Sequence, residues 1–132
     1  MTVLLAASSF ALARDTAAES SYLSENSKAM SRMMQDMAVK PSGDVDRDFV
    51  AMMVPHHQGA IDMAQIVLRY GKNEQLKRLA QEIIVTQQQE IAAMKLAVGD
   101  PLPPSIASPT QPGSGAAAPA ASSNDMPMHP AR

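Results

Sequence analysis

Two short breaks, Pro41-Ser42-Gly43 and Gly71, divide residues 16–98 into three stretches that each carry apolar side chains at helical spacing. Recurrence at i, i+3, i+4 and i+7 selects amphipathic helix over strand, and each apolar stripe needs another element to cover it. The first stretch runs from about Thr16 to Val39, with Leu23, Met30, Met33, Met34 and Met37 on one face. The second runs from Val45 to Tyr70, with Phe49, Met52, Met53, His56, Ala60, Met63, Ala64 and Val67 on one stripe. Asp44 or Asp46 can cap it, and Gly71 is expected to end it in the left-handed conformation. The third starts at Asn73 and ends near Val98-Gly99, with Leu76, Leu79, Ala80, Ile83, Ile91, Met94 and Val98 facing the core. The pattern predicts an all-α fold, a small antiparallel bundle of three main helices. Pro55 lies inside the second helix, where it removes a backbone hydrogen bond and crowds the carbonyl of Ala51, so a kink is expected near it.

The flanks differ from this middle. Residues 1–13 carry no charge, and Ala11-Leu12-Ala13 has the small-x-small form that precedes signal-peptidase cleavage. No Lys or Arg precedes Arg14, so the reading is a partial signal peptide, with a helical bundle domain from residue 14 to residue 99. A plain N-terminal helix is the competing reading. The apolar run is too short to span a bilayer. Export follows, to a periplasmic or secreted location, with no membrane span in the mature protein. From residue 100 to 132 the chain turns rich in Pro, Ala and Ser, and eight of the ten prolines fall there. Such a segment buries too little apolar surface to offset its ordering entropy and is expected to be a disordered tail.

Composition matters most for the core and for metal chemistry. Two Phe, two Tyr, no Trp and no Cys leave Leu, Ile, Val, Ala and Met to fill the interior. Eleven methionines is high usage for a residue that ordinarily fills gaps. Met at helical spacing is most often packing. Yet four of the first helix's core-face positions are Met, a flexible choice that specifies a core poorly. The segment Met52-Met53-Val54-Pro55-His56-His57-Gln58-Gly59 adds two adjacent histidines. Thioether and imidazole are the soft donors left to a chain without thiolate, and they suit copper, thioethers favouring the monovalent ion. Adjacent helical residues point about 100° apart, so one histidine can bind metal while the other meets Gln87 or Glu90 as a supporting partner. Those two polar residues fall on the third helix's apolar face and ask for an explanation. Met126, Met128 and His129 form a further, weak set of donors in the tail.

Other chemistry is poorly supported. A net charge of −2 with no basic cluster argues against nucleic acid. There is no His-Glu-x-x-His motif, no Glu-x-x-His pair, no nucleophile elbow and no phosphate loop, so catalysis is not expected.

Asp46-Arg47-Asp48-Phe49-Val50-Ala51-Met52-Met53-Val54-Pro55-His56-His57-Gln58-Gly59-Ala60-Ile61-Asp62-Met63-Ala64 resembles the bacterial domain-of-unknown-function family numbered 305. The likeness extends from about Tyr22 to Val98 and includes Met30-Ser31-Arg32-Met33-Met34-Gln35-Asp36-Met37 and Gln87-Gln88-Gln89-Glu90-Ile91-Ala92-Ala93-Met94. It implies a ferritin-like helical bundle, usually exported, some members being implicated in periplasmic copper binding and resistance. It also implies Met37, Met53, His56, His57 and Met63 as metal donors, with Met33, Met34 and Met94 nearby; Met30 and Met52, among the methionines close to the histidine pair, are possible additional donors. Met34 stands where family members often have histidine, which softens the site. The expected function is Cu(I) or Ag(I) sequestration or carriage. The alternative is a Met-rich helical module that binds a protein partner without metal, and self-association is expected of so small a core.

Overall fold

The computed structural model describes residues 4–105 and 108–110, with side chains described from residue 15 onward. It is a small all-α bundle of α1 (Leu4–Asp36), α2 (Val45–Tyr70) and α3 (Glu74–Ala97). Asp44 is the residue that caps α2, accepting the amides of Asp46 at 3.0 Å and Arg47 at 3.2 Å. Asn73 caps α3 in the same way through Gln75 and Leu76. At the other end Gly99 adopts φ 74, and the Gly99 and Asp100 amides donate back to Leu96 and Lys95. Those two bonds close a helix C-terminus through a left-handed residue.

Four local expectations change. α1 begins at Leu4 rather than Thr16, because nothing between Leu4 and Asp15 is Gly or Pro to interrupt it. Residues 1–3 of the expected leader lie outside the described residues. α1 also ends at Asp36, short of Val39, as the Ala38 amide bonds Gln35 and tightens the last turn. Gly71 is extended at φ −68, ψ 146, since the chain must enter the Asn73 cap within two residues. Glycine is needed there for space, because a Cβ would sit 2.6 Å from the Val67 carbonyl oxygen. α2 is helical without interruption through Pro55, and the kink expected near that residue is not confirmed.

Packing runs through α2. It contacts α3 on one side and α1 on the other, while α1 and α3 do not pack against each other among the described residues. The α2–α3 seam is Ile61, Ala64 and Leu68 against Ala80, Ile84 and Ile91, with Ile84 fully buried. The α1–α2 crossing buries Ala29 and brings Met33 over Gly59, whose missing Cβ would lie 2.6 Å from the Met33 sulfur. Gly59 and Ile61 lie about 200° apart around the helix, so the two partners occupy opposite sides of α2.

The row of helices therefore has two broad faces. On one, Arg32 pairs with Asp62 at 3.3 Å, Arg69 with Glu25, and the Tyr70 hydroxyl donates to Glu25 at 2.6 Å. Arg32–Asp62 and Glu25–Arg69, like His57–Glu90 on the other seam, show each neighbouring pair of helices to be antiparallel. The other face carries the stripes expected to form the core. Leu23, Met30, Met34, Phe49, Met52, Leu76 and Leu79 are exposed, because no element closes the bundle over them.

Two consequences are measurable. Gly59→Ala should destabilise the protein by about 1–3 kcal/mol through overpacking against Met33, and Met33→Ala in the same chain should recover part of that loss. Urea denaturation of the two single variants and the double variant checks this.

The second concerns pH. Hydrogen bonds from Tyr70 and Arg69 hold Glu25 below its ordinary 4.5, and the same Glu25 contact raises Tyr70 above 10.0. The Glu25 contribution is thus present above about pH 4.5 and lost as pH falls through its lowered folded value. The Tyr70 contribution is present below about pH 10 and lost as pH rises through its raised folded value. Tyr70→Phe should remove the alkaline loss and shrink the acid one, read as the urea midpoint against pH.

Candidate metal centre

The donors gather on the open face because of where each helix must point its other side. With Ala29 and Met33 against α2, Met30, Met34 and Met37 fall on one flank of α1 and Lys28 and Arg32 on the other. With Gly59 toward α1 and Ile61 toward α3, the same rotation puts Met52, Met53, His56 and Met63 on one flank of α2. Gln58, Asp62 and Arg69 take the opposite, charged flank, as the Arg32–Asp62 pair requires. On α3, Gln87, Glu90 and Met94 share the flank that meets His57.

Register then sorts the donors into two seams. Met33 lies across Gly59, so one turn further along α1 brings Met37 level with His56, and one turn back brings Met30 level with Met63. His57 lies level with Glu90, so one turn on, Met53 is level with Met94, which is packed against the core. Met33, Met37, Met53, Met63 and Met94 are half-buried, whereas Met30, Met34 and Met52 are exposed. Among the described residues no three His, Asp or Glu side chains come together as a metal site. Thioether sulfur is the donor this face supplies in number, and sulfur suits a soft ion better than a hard one. Met126, Met128 and His129 lie outside the described residues.

The two histidines divide their work. The His57 ring is mostly buried, with Nδ1 2.8 Å from the Met53 carbonyl oxygen and Nε2 2.8 Å from Glu90 Oε2. A carbonyl oxygen only accepts, so Nδ1 carries the hydrogen in that contact. With both nitrogens engaged, His57 has no free lone pair for a metal in this arrangement. It corrects the expectation that His57 is a direct donor: the ring fastens α2 to α3. His56 is exposed, its ring edge-on to His57 at 5.9 Å with a 64° interplanar angle, and it remains available. The partner expected for Glu90 is found, but Glu90 is not on a buried stripe: its side chain is half exposed at the rim. Gln87 is half-buried on the same flank.

Gly59 went unread in the sequence. A glycine inside a strongly helical stretch costs about 1 kcal/mol against Ala, and that cost was the available signal of a close approach. The Glu25–Arg69–Tyr70 cluster had no such signal, because surface charges at helical spacing are common.

The chain belongs to the family whose model is named "Domain of unknown function (DUF305)", which matches residues 2–98. The chain is also similar to an uncharacterised protein, L153, of Acanthamoeba polyphaga mimivirus, being 39% identical over 49 residues. That match covers 37% of this chain and spans only 32% of the relative. No solved structure matches the chain.

The division of roles has a direct test. Glu90→Gln should shift the ring nitrogen resonances of His57 and leave those of His56 in place, read by imidazole nitrogen NMR. Because Glu90 is half exposed, the stability loss should stay below about 1 kcal/mol.

Proposed function

We propose that this protein is an exported binder of monovalent copper, with silver as an equivalent guest, and that it sequesters or carries the ion rather than turning over a substrate. The single observation that supports this is the grouping of thioethers along the flank that carries an available His56, with Met37 level with it across the α1–α2 seam and Met63 two turns further along α2. Thioether and imidazole together suit a soft monovalent ion, and the scarcity of carboxylates on this face disfavours Zn(II) or Ni(II). Met33, Met30 and Met52 are within reach of the same seam as flexible side chains, while Met53 and Met94 offer a second thioether pair beside His57. His57 supports the site by bracing the helix on which His56 sits, with Glu90 as its anchor.

Thioethers neither give nor take protons, and soft ligands stabilise the reduced ion against cycling, so binding without turnover is the reading. Export rests on the uncharged residues 1–13 and the Ala11-Leu12-Ala13 pattern. No helix among the described residues is long and apolar enough to cross a membrane.

A second reading, a Met-rich module that docks a protein without metal, draws on the half-exposed Met30, Phe49, Leu76 and Leu79. Competition with a Cu(I) chelator under anaerobic reducing conditions separates the two, since the second reading predicts no transfer of the ion. The expected outcome is Cu(I) capture that weakens at least about 10–100-fold in the triple variant His56→Ala, Met37→Leu, Met63→Leu. Substituting Met126, Met128 and His129 should have a much smaller effect. Loss of capture on removing the tail, with the triple variant unaffected, would move the site out of the helices.

A further inference from the structure

The open face is an interface in search of its other half, and we propose that the other half is a second copy of this chain, joined face to face about a two-fold axis. Three observations converge on that occupant. The first is area. Leu23, Met30, Met34, Phe49, Leu76 and Leu79 are each at least half exposed. Side chains of this size then present on the order of 100 Å² apiece. With Met52 added, the face approaches the roughly 800 Å² per partner of a standard specific interface. That exceeds the largest apolar patch of an ordinary monomer, roughly 300–600 Å².

The second observation is charge. By helical projection, the ionisable groups on this face along the length of α2 are few: Asp46 in its first turn, His56, His57 and Glu90, the last two already joined. A surface with so few charges can meet its own copy with little like-charge repulsion, as a two-fold interface requires. The opposite face, by contrast, is lined by Glu25, Lys28, Arg32, Asp62 and Arg69.

The third is the course of the tail. Gln81 Nε2 donates to the Thr110 carbonyl at 3.1 Å, and Ser108 donates to Gln88. Gln81 and Gln88 project from the α3 flank opposite Glu90, so the tail leaves along the polar edge and away from the methionines. The chain's own C-terminal segment, as far as residue 110, is therefore not the cover.

The pairing does not depend on metal. The test is sedimentation of the full metal-free chain in chelator, from micromolar to hundred-micromolar concentration. The expected result is a dimer that Met34→Glu or Leu79→Glu converts to monomer, while Gln65→Glu on the polar face leaves it paired. Circular dichroism verifies that the variants remain helical. Should they fail to fold, the wild-type chain still decides, through hydroxyl-radical oxidation of Met30, Met34 and Met52, which must fall as concentration rises. A monomer throughout the range would overturn the proposal. So would a dimer that survives both charged variants, or one that dissolves on truncation after Thr110. A monomer that still captures Cu(I) would overturn this pairing alone, and a dimer that captures none would overturn the metal reading alone.

Discussion

Among the described residues α2 alone has two helical partners, and the seam it makes with α3 carries most of the buried apolar side chains. Ile61 and Ile84 are the two large side chains shut off from solvent, and Ala64, Leu68, Ala80 and Ile91 extend the same seam along both helices. α1 is held more lightly, by the approach of Met33 to Gly59 and by ion pairs at the polar rim. Because the two contacts lie on opposite sides of α2, the three helices form a row and one broad face stays uncovered. That geometric fact leaves Met30, Met34, Met52 and His56 exposed on the uncovered face.

The uncovered face makes chemical sense of the methionines. In a closed core, flexible Met would cost definition that Leu or Ile supplies. On an open face, the same flexibility would let thioethers from two helices reach one ion, as the proposed function requires, without moving the backbone. Rigid support comes from the neighbouring ring. His57, fixed between the Met53 carbonyl and Glu90, braces α2 one residue from the available His56. Pro55 sits immediately before this pair, in a helix that continues unbroken.

Helix number, caps and breaks were legible because their causes are local. Pro41, Gly43, Asp44, Asn73 and Gly99 act through their own backbone or a hydrogen bond to a near neighbour. The partnership of Glu90 with a histidine was legible too, since a carboxylate on an apolar stripe needs a reason. What failed was the assumption that each apolar stripe points into one shared core. Leu76, Leu79, Phe49 and Met30 have the right spacing, but periodicity gives a face, not the element that covers it. The actual seam uses Ile61 and Leu68, which the stripe on α2 passed over in favour of Met52, Met53 and His56, and Ile84, which the stripe on α3 omitted. In sequence, one histidine of the pair His56-His57 is expected to bind metal and the other to meet Gln87 or Glu90, with nothing to say which. Only the long-range contact of His57 with Glu90, 33 residues away, separates them.

Copper-edge X-ray absorption of the Cu(I)-loaded protein tests the central claim most directly, because it reports the atoms bound to the ion. The account predicts a shell dominated by sulfur scatterers with at most one imidazole per copper, the imidazole signature vanishing in His56→Ala. A shell of nitrogen and oxygen alone, or an imidazole signature that persists in His56→Ala and disappears in His57→Ala, would contradict it.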